Sequence, residues 1–371
     1  MNRKPRGLPS IHLVVRLILS GLAGCIVPAH EAGAPGAAPG KAVTVEVPPL
    51  RSVAGARRIG AAVEAQRLHE PALAKVLAAN FNSLTPENDM KWVNVEPGPG
   101  QFSFQRGDVL VAFAEQNGMR FRGHTLIWHT QLAPWVAGLP REALHAAMIR
   151  HVTNVVAHWK GRVSQWDVVN EAFADGPGGQ LRADSPFTAL GPTFIEDAFR
   201  AAHAADPAAQ LFYNDYEIEG LGTAKAEAVY QLAQRLKAAG VPIGGVGFQM
   251  HVDPRHWPAA GVIRQNLERF AALGLSVEIT EMDVPVGQIP GDHARKLDEQ
   301  KRLAHDIVAA CVAVSGCSGV TFWGFTDRYS WLNDPKWGAL RGRGPHRPLP
   351  FDADYNPKPM AVGIAAALAG N

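Results

Sequence analysis

The feature that most constrains the fold of this chain is a regular alternation of short β-rich runs with helical patterns. Apolar residues recur at intervals of three and four in segments 224–239, 301–314 and 360–368, which is typical of helices packed on one face. This order favours a parallel sheet wrapped by helices, and eight strands are the number that closes a barrel. We therefore predict an α/β fold, a single (β/α)8 TIM barrel. Its eight strand candidates are residues 58–63, 80–84, 120–128, 163–169, 210–214, 246–251, 276–281 and 320–325.

Composition fits a soluble globular protein and excludes some classes of function. Of the 371 residues, 47% are hydrophobic and 19% are charged, which is enough apolar material for a substantial core. The formal net charge of +2 gives no electrostatic footprint for nucleic acid or for an anionic membrane. We therefore expect no nucleic-acid partner. The charge is more compatible with a neutral polymer as the binding partner.

The first 25 residues have the pattern of an export signal, in which basic residues precede an apolar run. Residues 22–25 read Leu-Ala-Gly-Cys, which resembles the lipobox of bacterial lipoproteins, where the cysteine becomes the lipidated first residue. This predicts a protein anchored through Cys25 to the bacterial cell envelope, with no other contact to a membrane. Ordinary cleavage a little downstream, with Cys25 discarded, would instead give a secreted or periplasmic protein.

The rest of the chain divides into a tether and one domain. Residues 26–46 are rich in Ala, Pro and Gly and have little to bury, which is typical of a flexible tether. Residues 47–371 hold all the strand candidates, and we expect this domain to be a monomer. With Cys25 assigned to the anchor, Cys311 and Cys317 remain as an even pair in an oxidising setting, which predicts one disulfide. Two reduced thiols are the alternative.

Polar or aromatic residues stand where almost every predicted strand ends. Such side chains are costly to bury without a purpose. In barrel enzymes the carboxyl ends of the strands carry the active site, so these residues are predicted to converge on one cleft. They are Glu87, Asn88, Lys91, His124, Trp128, His129, Asn170, Glu171, Asn214, Asp215, Gln249, His251, Glu281, Asp283, Trp323 and Asp327.

Two of these residues, Glu171 and Glu281, are suited to breaking a glycosidic bond. That reaction needs one carboxylic acid to protonate the departing oxygen and one carboxylate to meet the positive charge that develops on the sugar. A single carboxylate at a barrel rim is more often a structural ion-pair partner. The hypothesis therefore depends on the pair, one at the end of the fourth strand and one at the end of the seventh.

Alternation along the seventh strand gives a further expectation. Residues two apart on a strand share a face, which groups Val277 and Ile279 with Glu281. If Glu281 is functional, this face points into the barrel. Glu278 and Thr280 are then predicted to point toward the helices.

Six motifs, each at a strand end, give the chain a family resemblance from about residue 48 to residue 359. Together they resemble glycoside hydrolase family 10, the endo-1,4-β-xylanases. The motifs are TPENDMKW at 85–92, HTLIWH at 124–129, WDVVNE at 166–171, GFQMH at 247–251, TEMD at 280–283 and TFWGFTDRYSW at 321–331.

The resemblance implies a retaining double displacement on xylan or xylo-oligosaccharides, with no cofactor and no metal. Glu171 would be the acid/base and Glu281 the nucleophile, with their carboxyl groups ~5 to 5.5 Å apart. His251 would hydrogen-bond the nucleophile, and Asn170 would bind near the sugar 2-hydroxyl. The remaining residues implied to bind the sugar on the non-reducing side are Glu87, Asn88, Lys91, His124, Trp128, Gln249, Trp323 and Trp331.

Not every tryptophan is expected to bind sugar, and the chain departs from the family pattern at two positions. Trp323 and Trp331 lie at or beyond the end of the last strand, where a sugar platform is more plausible than at the other tryptophans, which are Trp92, Trp135, Trp159 and Trp166. Glu217 stands where the family commonly has asparagine, and Met360 stands where an aromatic residue is usual. Both departures lie away from the expected chemistry.

Several rival functions fit parts of the pattern. A metal hydrolase would draw on residues such as His124, His129, His251, His256 and Asp283, but the chain has no His-x-His or His-Glu-x-x-His spacing. A barrel that binds xylan without turnover would be expected to have lost one of the two glutamates. Another β-1,4-glycosidase or a transglycosylase remains an alternative, because subsite preference depends on loop geometry.

Overall fold

The computed structural model describes residues 46–339, 342 and 344–370. The export signal, Cys25 and the tether up to residue 45 lie outside these residues. Within them, no helix is both long and apolar enough to cross a membrane.

The described chain forms the predicted closed barrel, in which eight parallel strands pair in sequence order and β8 pairs with β1. Each strand is nearly all buried, because helices cover the outside and side chains fill the inside. The strands are β1 Arg58–Val63, β2 Ser83–Pro86, β3 Arg120–Gly123, β4 Gln165–Asn170, β5 Gln210–Asp215, β6 Gly245–Phe248, β7 Ser276–Met282 and β8 Cys317–Phe322.

Helices follow the strands and surround the barrel. The α-helices are α1 Leu50–Val53, α2 Pro71–Asn80, α3 Trp92–Val95, α4 Gln105–Gln116, α5 Pro134–Ala137, α6 Arg141–His158, α7 Phe194–Ala205, α8 Ala224–Ala238, α9 Ala260–Ala271, α10 His293–Val312, α11 Pro335–Gly338 and α12 Pro359–Leu368. Single 3₁₀ turns are Ala65–His69, Pro186–Leu190, Val286–Gln288, Asp327–Tyr329 and Trp331–Asn333. The last helix, α12, contributes the fully buried Met360 to the core.

Several strand boundaries differ from the sequence prediction. Asn80, predicted to begin the second strand, is the last residue of α2. The third strand ends at Gly123 and not at residue 128, because regular pairing stops there. The following segment still contacts β4, through Leu126 N to Asp167 O and a bridge between Ile127 and Val169. The eighth strand begins at Cys317 and ends at Phe322.

Cys311, near the end of α10, and Cys317, at the start of β8, are joined as a disulfide with their Cα atoms 5.4 Å apart. Both side chains are buried. The bond therefore ties the end of this helix to the strand that follows it.

The barrel interior contains a buried ionic network that includes Glu278 of β7. The prediction that Glu278 points toward the helices is therefore wrong. Arg122 on β3 pairs with Asp167 on β4 and lies 3.5 Å from Glu278 on β7, across the barrel. Glu278 therefore points inward. Ile279 pairs in register with Phe248, whose ring packs on Phe270 of α9, so this side of the strand faces the helices.

An irregularity in the register of β7 against β8 explains how Glu281 still reaches the cleft. The register shifts between Ile279 and Met282. Thr280 donates a hydrogen bond to Asn214 Oδ1, and Glu281 Oε1 accepts one from Asn214 Nδ2. Two successive side chains thus contact the same interior amide, which strict alternation forbids.

We expect Arg122→Met to destabilise the fold by about 3 to 5 kcal/mol, because it leaves the buried Asp167 without its arginine and leaves Glu278 with Arg58 alone. Arg122, Asp167 and Glu278 are each at most 1% exposed. Urea unfolding would measure the change. Arg162→Met, which removes a surface ion pair with Glu115, is the matched control and should cost less than about 1 kcal/mol. Equal losses in the two variants would contradict the importance of the buried network.

Candidate active site

The two glutamates predicted from the sequence lie at the carboxyl ends of β4 and β7 and are joined by a chain of side-chain amides. Asn170 Nδ2 and Gln249 Nε2 donate to Glu171 Oε1 over 3.1 and 2.9 Å. Asn214 Nδ2 donates to Asn170 Oδ1 and to Glu281 Oε1, each over 2.8 Å. The carboxylates therefore share one hydrogen-bonded layer at one end of the barrel, while their separation of ~5 to 5.5 Å stays a prediction.

Glu171 is held in a conformation that few residues adopt. Its φ of 54° lies in the left-handed region, which costs a non-glycine residue free energy. Its backbone N–H donates to Asn214 O over 2.9 Å, and Trp128 Nε1 donates to its Oε2 over 2.7 Å. The backbone and the side chain are therefore both fixed before a substrate arrives.

A buried pair behind Glu171 supports that backbone. Tyr213 accepts a hydrogen bond from Ala172 N, the residue after the glutamate, and donates one to Asp215 Oδ2 over 2.6 Å. Burial raises the pKa of Asp215 to about 7, although the ammonium of Lys225, 3.0 Å away, opposes the rise. The sequence predicted Asp215 as a site residue, because it stands at a strand end. It did not predict Tyr213, which lies within the strand.

His251 lies between two carboxylates. Its Nε2 is 3.2 Å from Glu281 Oε2, and its Nδ1 is 2.8 Å from Asp283 Oδ2, which also accepts a hydrogen bond from Trp331 Nε1. Burial lowers the pKa of His251, but Asp283 and then Glu281 outweigh that effect and raise it to about 10. The imidazole is therefore a cation at neutral pH, so its Nε2 can donate a hydrogen bond to Glu281 Oε2.

The raised pKa of His251 predicts a pH dependence of stability. A raised folded-state pKa adds stability that is fully present below the unfolded value of about 6.5 and is lost as pH rises through about 10. We compare the free energy of unfolding of the wild type with that of His251→Asn. The advantage of the wild type is expected to fall by a few kcal/mol between pH 7 and pH 10. Urea unfolding across this range measures it. A difference that stays constant with pH would contradict a charged His251.

Cationic and aromatic side chains gather beside the carboxylates. Lys91 Nζ lies 4.6 Å from the centroid of the Trp128 ring and 5.6 Å from that of Trp323. Burial lowers the pKa of Lys91, while Glu281, among other carboxylates, raises it. His124 Nδ1 is 3.0 Å from Asp167, and its ring meets Trp323 edge-on at 5.0 Å. Indole faces and charged groups together suit a sugar ring, which has both C–H faces and hydroxyls.

Glu87 and Asn88 complete this side of the cleft. Asn88 Oδ1 accepts a hydrogen bond from Lys91 Nζ over 3.1 Å, and its Nδ2 donates to Glu64 Oε1. Burial, with the nearby charge of Glu64, raises the pKa of Glu87 to about 8. A carboxyl group that stays protonated at neutral pH can donate a hydrogen bond to a sugar hydroxyl.

Asp327, expected at the cleft, and His256, a candidate ligand only for the rival metal hydrolase, both have structural partners. Asp327 accepts from Lys358 Nζ and from Leu349 N, so it anchors the segment before α12. His256 is largely exposed and pairs with Asp253. Among the described residues, no three His, Cys, Asp or Glu side chains are grouped in a way that could hold a metal ion.

The tryptophans differ in burial, and Trp323, one of the two expected sugar platforms, is only 7% exposed. Trp92 is buried and stacks on His151 at 3.7 Å, and Trp159 and Trp166 are fully buried in the core. Trp135 is partly buried against the same core. Trp331, in contrast, is half-buried beside His251, with ring centroids 5.1 Å apart.

Glu217 has a φ of 57° in an exposed loop after β5. Asn is several-fold enriched in this left-handed region because its short polar side chain bonds locally. We therefore expect Glu217→Asn to raise the free energy of unfolding by about 0.5 to 1 kcal/mol, a part of the roughly 1 to 2 kcal/mol that the left-handed conformation costs. Urea unfolding would measure it, with Glu217→Gln as the control that removes the charge but keeps the strain. Equal gains from both substitutions would point to charge as the cause.

Comparison with known proteins agrees with this geometry. The sequence profile of Glycosyl hydrolase family 10 matches residues 50–367. A Beta-1,4-xylanase of Dictyoglomus thermophilum is 39% identical over 325 residues, which cover 85% of this chain and 89% of that relative. Endo-1,4-beta-xylanase B of Thermotoga neapolitana is 42% identical over 294 residues, covering 78% and 81%.

Solved structures show the same similarity in three dimensions. Xylanase 10B from Thermotoga petrophila RKU-1, solved in complex with xylobiose, superposes with a TM-score of 0.81 at 40% identity. The match covers 88% of this chain and 98% of that one.

Proposed function

This chain belongs to glycosyl hydrolase family 10, and from that premise we propose that it is a retaining endo-1,4-β-xylanase that hydrolyses internal bonds of xylan. The observation that carries this proposal is the hydrogen-bonded link between Glu171 and Glu281 at one end of the barrel. The xylanases it resembles along most of their length, and the xylobiose complex of one of them, support the choice of substrate.

In the first step, a carboxylate oxygen of Glu281 attacks the anomeric carbon of a xylosyl unit. Glu171 gives its proton to the departing glycosidic oxygen, so the C–O bond breaks and a covalent glycosyl-enzyme forms. The charged His251 hydrogen-bonds Glu281 and keeps it ionised before the attack. Asn170, which bonds both Glu171 and Asn214, is placed to contact the sugar 2-hydroxyl.

In the second step, Glu171 acts as a base. It takes a proton from a water molecule whose oxygen attacks the anomeric carbon, and the bond to Glu281 breaks. Two inversions at the same carbon give a product of retained β configuration. The fixed backbone of Glu171 suits it to both steps, because the same oxygen must serve the departing sugar and the arriving water.

The sugar on the non-reducing side is assigned to the cluster beside Lys91. Trp323 and Trp331 offer indole faces, while charged and amide groups meet the hydroxyls. The residues given this role are Glu87, Asn88, Lys91, His124, Trp128, Asn170, Gln249, His251, Trp323 and Trp331.

The test is product analysis on xylan with the anomeric configuration followed by NMR. We expect a mixture of internal fragments to appear early and β-anomers to form first, before mutarotation. Release of single xylose units from chain ends would show an exo-acting enzyme. An initial α-anomer would show inversion and contradict the role of Glu281 as nucleophile.

We also propose that residues 1–25 direct export, that Cys25 carries a lipid, and that residues 26–46 tether the catalytic domain, residues 47–371, to the cell envelope. The basic and apolar pattern ahead of Leu-Ala-Gly-Cys supports this. Labelling with a radioactive fatty acid tests it. Label in the wild type and none in Cys25→Ser is the expected result, and an unlabelled wild type would favour a secreted or periplasmic protein.

A further inference from the structure

We propose that Trp337 is an additional sugar-binding platform, which stacks on a xylosyl unit of the main chain farther toward the non-reducing end than the unit under Trp331. This inference rests on the proposed xylanase function. It gives the cleft one more subsite and implies a preference for longer chains.

Trp337 is unusual among the described residues because a large aromatic ring is left 39% exposed. The other exposed large apolar side chains in this part of the chain are aliphatic, Val109 and Leu221. A single exposed apolar side chain is common at a protein surface, so the inference rests on where this ring lies and not on its exposure alone.

The position of Trp337 continues the active site outward through direct contacts. Its ring centroid lies 5.9 Å from that of Trp331. Trp331 in turn lies 5.1 Å from His251, which hydrogen-bonds Glu281. Trp323 also meets His251, at 6.5 Å, on the side of Lys91 where the non-reducing sugar is assigned. Trp337 is therefore the outer ring of a chain of contacts that begins at His251, and we assign it to the same side of the cleft as Trp331.

The backbone beneath Trp337 is held in place, and Lys336 Nζ lies over the ring, 4.4 Å from its centroid. The ring therefore has a defined position before a sugar binds. Asp334 caps α11 by accepting from Lys336 N over 2.8 Å, and its carbonyl accepts from Trp337 N. Gly338 is needed next, because a Cβ there would come within 2.5 Å of Leu332 O. A platform fixed in advance loses little conformational entropy when a sugar binds.

Aryl β-xylo-oligosaccharides of increasing length test this inference, because they grow only on the non-reducing side. For Trp337→Ala we expect unchanged kcat/KM on the aryl xylobioside. On substrates with three or more xylosyl units we expect kcat/KM to fall about 3- to 10-fold, the size of one aromatic contact, through KM. Trp337→Phe should recover most of the loss, and Val109→Ala, on the outer helix α4, is the matched control.

An equal loss at every length, or no loss at any length, would overturn the platform. A wild type inactive on the aryl xylobioside would instead count against the proposed function. The platform is then tested by tryptophan fluorescence during titration with xylohexaose. Weaker binding by about 3- to 10-fold in Trp337→Ala supports the inference, and unchanged affinity contradicts it.

Discussion

Glu281→Ala should lower turnover of xylan and of aryl xylosides alike, by about 10⁴-fold or more, because it removes the nucleophile that both substrates need. A good leaving group cannot help, since no covalent intermediate can form. Initial rates on the two substrates measure the effect. Glu217→Ala, which removes an exposed carboxylate in the loop after β5, is the control and should keep nearly full activity.

Folding must be checked in the same variant, because Glu281 is buried and bonded to Asn214 and His251. Circular dichroism and xylohexaose affinity should stay close to those of the wild type. Retained activity on either substrate in a folded Glu281→Ala would contradict its role. Azide added to this variant should give the α-xylosyl azide from aryl xylosides, because it attacks from the face that the carboxylate leaves open.

Glu171→Ala should separate the two substrates. Aryl xylosides whose leaving group needs no proton should still form the glycosyl-enzyme, whereas xylan turnover should fall about 10²- to 10⁴-fold, the usual size of acid–base assistance. Azide should then restore the second step and give the β-xylosyl azide, because it needs no base to attack. A burst of released phenol followed by slow turnover would show the accumulated intermediate.

Equal loss on both substrates, without rescue by azide, would contradict the acid/base role of Glu171. Trp128→Phe provides a comparison, since it removes the hydrogen bond to Glu171 Oε2 and keeps a smaller aromatic ring beside Lys91. We expect it to lower activity on both substrates by less than Glu171→Ala lowers xylan turnover. The azide products of the two glutamate variants also differ in configuration, which distinguishes the nucleophile from the acid/base in one assay.

The sequence predicted the number, order and approximate place of the strands because each has a local signal. Short β-rich runs bounded by helical patterns mark the strands, and polar residues mark their carboxyl ends. The strand boundaries were less certain. At Asn80 the helix continues to the residue where a strand was expected. After Gly123 regular strand pairing stops, although the composition of the segment still favours a strand.

Within the active site, residues at strand ends were predictable, whereas their partners behind the strands were not. Glu171, Glu281 and His251 follow strands directly. Tyr213 faces away from the barrel interior and supports Glu171 through Ala172 N, a contact between two neighbouring strands that no local pattern shows. Trp337 likewise follows no strand directly, and its contact with Trp331 is what connects it to the cleft.

The sequence by itself determined that this chain forms a barrel and which chemical groups stand at its active end, since periodicity and motifs are local properties. Only the tertiary structure decided which way β7 faces. Alternation predicted that Glu278 points to the helices, but Arg122, across the barrel, pairs with it inside. The register shift after Ile279 then brings Glu281 to the cleft. Buried charges need partners. Closure of the barrel brings Arg122 within reach of Glu278, and the local sequence of β7 does not show this.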